Sequence, residues 1–173
     1  MIVFQKNPSI DISQDNILDC IQNFKNTGKD FVIGQRNAIK IFEVEGQILN
    51  IKSFRVPGLI NKVVYRYFRK TKAARSFEYA TILMNKGIGT PKPVAYYENF
   101  DILGLKESYY VCEHINADLT FRELVQTNYP DGENILRQFT QFSYLMHQKG
   151  IEFLDHSPGN TLIKNEGNGS YSF

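Results

Sequence analysis

Apolar residues recur along this chain with two alternating periods, and the switches between them mark out its elements. From Asp15 to Lys25, Ile17, Leu18, Ile21 and Phe24 fall at helical spacing, with Ser13 or Asp15 placed to cap the free N–H groups and Gly28 to stop the helix. The period then shortens to two. Asp30 to Gln35, Ala38 to Val44 and Gln47 to Phe54 are rich in Val, Ile and Phe, separated by a Gln-Arg-Asn stretch and by Glu45-Gly46, which predicts three antiparallel strands in succession. In the third, Ile48, Asn50, Lys52 and Phe54 share one face, so a lysine is set into a largely buried sheet.

Pro57-Gly58 ends that run. Between Thr71 and Lys86, Ala73, Phe77, Ala80 and Met84 mark one side of a helix that Gly87 can terminate. Val94 to Tyr97 and Ser108 to His114 read as two more strands joined by a loop around Asp101 to Leu105. After Asn116 the pattern turns helical, most clearly where Ile135, Phe139, Phe142 and Met146 recur between Asp131 and Gly150. Asn160 to Lys164 and Ser170 to Phe173, around Gly167-Asn168-Gly169, predict a closing hairpin. The expected class is α+β, with an antiparallel five-stranded sheet and one main helix, followed by a mainly helical body.

Composition narrows what such a chain can do. With 173 residues and 42% apolar content it can bury a core, and its net charge of +2 is far from that of a dedicated nucleic-acid binder, so no nucleic-acid partner is expected. Cys20 and Cys112 lack the spacing of a disulfide framework or zinc site, and no run of 18 apolar residues occurs. A reducing, cytoplasmic location is expected. His114, His147 and His156 are too scattered to form a metal site. Gly28-Lys29 lacks the spacing of a P-loop, and Gly87-Ile-Gly89 follows a helix rather than a strand, which makes it a helix stop.

The most specific motif is Leu154-Asp155-His-Ser-Pro-Gly-Asn160, where a carboxylate precedes an amide by five positions after a long helix. This is the spacing of the kinase catalytic loop, in which Asp takes the proton of the acceptor hydroxyl and Asn holds magnesium against the phosphates. Asp155 and Asn160 fit those roles, although the loop's usual His and Arg fall on Phe153 and Leu154. Such a site also needs a strand lysine on the phosphates and a helical carboxylate to position it. Lys52 is the candidate lysine, and Glu78 is the single acidic residue between Lys52 and Glu98. Gly34, with Gln-Arg-Asn37, stands where kinases carry a glycine-rich turn over the phosphates, with one glycine in place of three.

Between Lys52 and Arg75 lie eight basic residues and no acidic one, interleaved with Val63-Val64-Tyr65 and Tyr67-Phe68. That mixture suits a segment lying on an anionic membrane surface; a solvated basic face and contact with RNA backbone are the alternatives.

These residues together resemble the bacterial lipopolysaccharide kinase family of the Kdo and heptose kinase type, which has a protein-kinase-like fold. The likeness is carried by Gly34-Gln-Arg-Asn-Ala-Ile-Lys-Ile-Phe, by Leu49-Asn-Ile-Lys-Ser-Phe-Arg-Val-Pro-Gly, by Phe77-Glu-Tyr-Ala through Lys86-Gly-Ile-Gly-Thr-Pro-Lys-Pro-Val-Ala, and by Leu154-Asp-His-Ser-Pro-Gly-Asn-Thr-Leu. It implies a kinase N-lobe at 30–115, preceded by an extension with a short helix at 1–29 and followed by a partial C-lobe at 116–173. It also implies ATP and Mg2+ as cofactors and a sugar hydroxyl of the lipopolysaccharide core as acceptor, reached peripherally at the inner face of the inner membrane. Asp155 becomes the base, Asn160 a metal ligand, Lys52 the phosphate contact and Glu78 its partner. The backbone of Glu113-His114-Ile115 becomes the hinge that reads adenine.

The pattern departs from the family at its end. A second metal-binding Asp should follow the closing hairpin, and the chain stops at Phe173 just before it. The 173 residues are therefore expected to be either a piece of a longer protein, the favoured reading, or a natural fragment lacking turnover, in both cases binding nucleotide weakly at best and with no useful phosphoryl transfer. Two other classes share the motifs: a small-molecule phosphotransferase of the aminoglycoside or choline type, or an atypical protein kinase, and a kinase-shaped membrane-surface module without catalysis.

Overall fold

The computed structural model describes residues 1–34, 37–56, 69–154 and 158–173. They form two compact units, one of Met1–Ile82 with Pro91–His114, the other of Leu83–Thr90 with Ile115–Phe173.

The first unit is built on a six-stranded antiparallel sheet. Its strands are β1 (Ile2–Lys6), β2 (Lys29–Ile33), β3 (Asn37–Val44), β4 (Gln47–Phe54), β5 (Pro93–Asp101) and β6 (Gly104–Glu113), in the order β1-β5-β6-β4-β3-β2. Five strands were expected. The sixth is β1, which pairs with β5 from Ile2 opposite Asn99 to Lys6 opposite Ala95. Residues 1–29, expected as an extension, thus supply an edge strand and the helix α1 (Gln14–Gln22) to the sheet unit. Ser13 caps α1 by accepting from the Asp15 N–H, but the helix stops at Asn23 and not at Gly28. The Asn23 side chain bonds back to the Asp19 carbonyl and carboxylate at 3.1 and 2.9 Å, offering the backbone a turn in place of another helical residue. Gly28 serves the entry to β2 instead. Its φ is +79°, and a Cβ there would press into the Phe42 ring.

The sheet has two unlike faces, set by the alternation along β4. Leu49 and Ile51 point to one, and with Phe42, Val44, Ala95, Tyr109 and Val111 they pack against Ile17, Ile21 and Phe24 at α1, sealed by Ile10 and Ile12. Leu49, Ile51 and Val111 are fully buried. Lys52 lies on the opposite face. Its ladder partners there are Ile39 on β3 and Tyr110 on β6, and Tyr110 in turn pairs with Tyr96 on β5. The β1, β5 end of this second face is covered by helix α2 (Lys72–Asn85), whose Phe77 ring lies 5.5 Å from that of Tyr96.

The loop expected around Asp101 to Leu105 is a tight hairpin. Asp101 pairs with Gly104, leaving only Ile102 and Leu103 between the strands, and Asp101 Oδ1 accepts from the Leu103 N–H at 2.9 Å.

The second unit holds β7 (Leu119–Thr120), the short helix α3 (Phe121–Gln126), the long helix α4 (Gly132–Gln148), β8 (Leu162–Gly167) and β9 (Ser170–Ser172), the three strands forming a small sheet. Leu119, Leu124, Ile135 and Ile163 are its core, bordered by the rings of Phe121 and Phe173. The expected closing hairpin is present, with β7 as a third strand. Gly87 and Gly150 both act as helix stops. Each has positive φ, and the residue after it bonds five positions back, Ile88 to Leu83 at 3.0 Å and Ile151 to Met146 at 2.9 Å. The two helix ends are joined reciprocally: the Lys86 ammonium donates to the Lys149 carbonyl, and the Lys149 ammonium to the Lys86 carbonyl at 2.5 Å.

Candidate functional site

Lys52 is held in the middle of β4, where both neighbouring strands fix its backbone. Its side chain is half-buried, its ammonium lying 5.3 Å from the Phe54 ring centroid, and its charge also bears on the thiol of Cys112, the ladder partner of Asn50. Burial pushes that thiol up to about 12; the Lys52 ammonium and a hydrogen bond with Tyr110 act in the other direction. Burial likewise raises the Tyr110 hydroxyl, so both groups stay neutral at pH 7. Lys52 is therefore the charged group in a row of uncharged ones.

Glu78 sits midway along α2, and its carboxylate is committed elsewhere. Both oxygens accept from the Lys70 ammonium, at 2.9 and 2.8 Å, and this bond holds the lysine above its ordinary range. The pairing expected for Glu78 was with Lys52. A second carboxylate lies under the start of the same helix: Glu98, on β5, is buried and accepts from the hydroxyl of Thr71, which itself caps the Ala74 N–H at 3.2 Å. Burial raises the Glu98 carboxyl above its usual range, and the Thr71 and Ala74 hydrogen bonds offset part of that. The two residues belong to an open cleft of about 760 Å³ between α2 and the β1, β5 edge, lined also by Val3, Phe77, Arg69 and Lys70.

Gly34 closes the turn between β2 and β3, its N–H donating to the Asn37 carbonyl at 3.0 Å. Gln35 and Arg36 at the tip lie outside the described residues. Glu113 ends β6, its N–H bonded to the Lys92 carbonyl and its carboxylate 3.6 Å from the Lys92 ammonium. Ile115 is half-buried and opens the second unit.

In that second unit Asn160 is exposed on a stretch pinned at both sides. The first two N–H groups of α3 donate to the carbonyls of Thr161 and Pro158, at 3.0 and 2.8 Å. A capping box between Thr120 and Glu123 fixes the same helix start. Asp155 and His156 lie outside the described residues, as does 57–68, which carries Lys62, Arg66 and the aromatic part of the basic stripe. Of the stripe's other members, Arg55, Arg69, Lys70 and Lys72 are exposed. Among the described residues no three His, Cys, Asp or Glu gather as a metal site, and no helix is long and apolar enough to cross a membrane. Asn160 alone would offer a magnesium ion a single oxygen donor.

Three side chains on the first unit were given no role of their own from the sequence: those of Phe31, Asn50 and His114. The β4 alternation placed Asn50 on the face of Lys52; nothing in the sequence announced the bulge that frees Phe31 from its ladder.

No protein-family model and no curated protein matches the chain. Among solved structures, the chain is similar to "WaaP in complex with acyl carrier protein", with a TM-score of 0.49 and 15% identity, over 85% of this chain and 56% of that one. The chain thus spans little more than half the length of that neighbour.

Proposed function

We propose that this chain is the nucleotide-binding part of an ATP-dependent kinase whose acceptor is a sugar hydroxyl of the lipopolysaccharide core. The observation that carries the reading is the order of the sheet around Lys52. Three strands run in succession, the lysine sits on the third, a helix bearing Glu78 follows, and the next two strands return so that β6 pairs beside the lysine strand. Kinases use this kind of arrangement to bring a strand lysine to the phosphates of ATP.

In this reading the γ-phosphoryl group passes from ATP to the sugar oxygen, a P–O bond forming as the bond to the β-phosphate breaks and ADP leaves. The hydroxyl proton goes to the Asp155 carboxylate. Lys52 contacts the phosphates, Gly34 lets the backbone approach them, and the Glu113 and Ile115 backbone meets the adenine edge. Asn160 would contribute one ligand to magnesium, which when bound would offset phosphate charge. For Glu78 to position Lys52, its bond to Lys70 must first part. That commitment favours a second reading, a kinase-shaped module that binds nucleotide without turnover.

The test incubates the protein with ATP, Mg2+ and lipid A-core glycolipid, with the product read by mass. The expected result is gain of one phosphoryl group, a loss of about 10²- to 10⁴-fold in rate for Asp155→Asn with ATP affinity kept, and weakened ATP binding for Lys52→Ala. An Asp155→Asn rate near wild type removes the base assignment. ATP binding without transfer to any acceptor selects the second reading.

A further inference from the structure

Ile48, Asn50 and Lys52 are successive residues on one face of β4, and at its far end the sheet presents a small surface with three unusual properties. The first is an exposed aromatic. The register of β2 against β3 shifts between Asp30 and Val32, so Phe31 is the extra residue of a bulge, and its ring is 55% exposed. The second is where that ring lies. It meets the His114 imidazole edge-on, with centroids 5.5 Å apart and planes at 83°. His114 belongs to the other side of β4, so the bulge aims Phe31 across the strands between them. The third is that the imidazole is itself held. The His114 backbone N–H donates to the Ile48 carbonyl at 2.8 Å, and the ring's Nδ1 lies 3.0 Å from Asn50 Oδ1. Because Asn50 Oδ1 can only accept, Nδ1 carries the hydrogen.

The surface so formed is apolar at one end, where Phe31 meets His114 and Ile48 is 46% exposed. At the other end, four residues or about 13 Å along β4 from Ile48, it carries Lys52. A flat aromatic group linked by a short spacer to phosphates matches both ends. An exposed phenylalanine alone is ordinary on a protein surface; one aimed by a bulge at a braced imidazole, on the strand that carries the candidate phosphate lysine, is a built feature.

We propose that Phe31 is the base-binding residue of this surface, stacking on the face of the purine of ATP, with the Asn50–His114 pair as the positioning group that braces its ring. The proposal rests on the nucleotide reading of Lys52 given above and adds to it the residue that distinguishes a nucleotide from a bare polyphosphate. Base–aromatic stacking is worth roughly tenfold or more in affinity.

The experiment measures dissociation constants of the 173-residue chain for ATP and for inorganic tripolyphosphate, which has the charge and no base. Wild type is expected to bind ATP at least tenfold tighter. Phe31→Ala is expected to bring the two affinities together by weakening ATP alone, and Phe31→Trp to keep them apart. Asn50→Ala is expected to narrow the gap partially while leaving tripolyphosphate binding unchanged. If wild type binds both anions equally, or if Phe31→Ala leaves the gap in place, Phe31 does not hold the base and the kinase reading stands without it. If wild type binds tripolyphosphate and ATP not at all, both proposals fall together.

Discussion

The two faces of the six-stranded sheet are built from alternate residues of the same strands, yet they do opposite work. On one, Leu49 and Ile51 vanish under α1 and the segment leading into it. On the other, Asn50 and Lys52 are themselves half-buried, beside the buried Cys112 and Phe54 and the half-buried Tyr110. Adjacent positions on β4 therefore differ in what they contribute: one face holds the sheet together, and the other is free to carry polar groups whose burial would be costly without partners. A strand clamped from behind by a closed core gives those groups a rigid base.

The sharpest way to break this comparison is to substitute neighbours. Ile51→Ala should lower stability by about 2–5 kcal/mol, because it removes buried methylenes and leaves a cavity, while Lys52→Met should change stability by less than about 1 kcal/mol and weaken nucleotide binding. Urea unfolding of the pair checks it. Comparable losses of stability in both variants would mean that the faces are not separate in function. Next in size is Gly28→Ala, which adds a methyl against the Phe42 ring at a positive φ of +79°; a loss of about 1–3 kcal/mol is expected, with the ATP to tripolyphosphate ratio unmoved.

The smallest effect sharpens the picture of the second face. Burial holds the Glu98 carboxyl above the ordinary glutamate range, so the folded protein binds that proton more tightly than the unfolded chain does. Its stabilising contribution is complete below the unfolded pKa and is lost as pH rises through the folded value. Glu98→Gln keeps an oxygen for the Thr71 hydroxyl, so it should match or exceed wild type in stability at pH 7. Its advantage, under about 1 kcal/mol, should disappear as pH is lowered toward 4. Thermal unfolding of both proteins across that range gives the comparison directly.

What could be read in advance follows the range of the interactions. The β2, β3 and β4 strands were legible because their apolar alternation and turn residues are local, and the stops at Gly87 and Gly150 because only glycine takes positive φ without penalty. The first strand was not. Its five residues bear no distinctive signal, and it is defined by partners on β5, from Ala95 to Asn99, far along the chain. The hairpin at Ile102-Leu103 was read as a longer loop because its tip is apolar and its turn is made by the Asp101 side chain. At the site, Lys52 was visible as a charge on an apolar strand, and Asp155 with Asn160 as a spacing. The engagement of Glu78 by Lys70 was hidden, since several nearby cations had equal claim on that carboxylate. Glu98 was hidden too, because burial of an acid leaves no mark on its own sequence neighbourhood.

The reciprocal bonds between Lys86 and Lys149 carry a genetic consequence. Each ammonium closes the carbonyl end of the other's helix, and because both acceptors are backbone carbonyls, losing one side chain opens one helix end and leaves the other bonded. In a library of variants each single substitution should unfasten one helix end and the double substitution both, so selection at two distant codons acts on two separable closures of neighbouring helices.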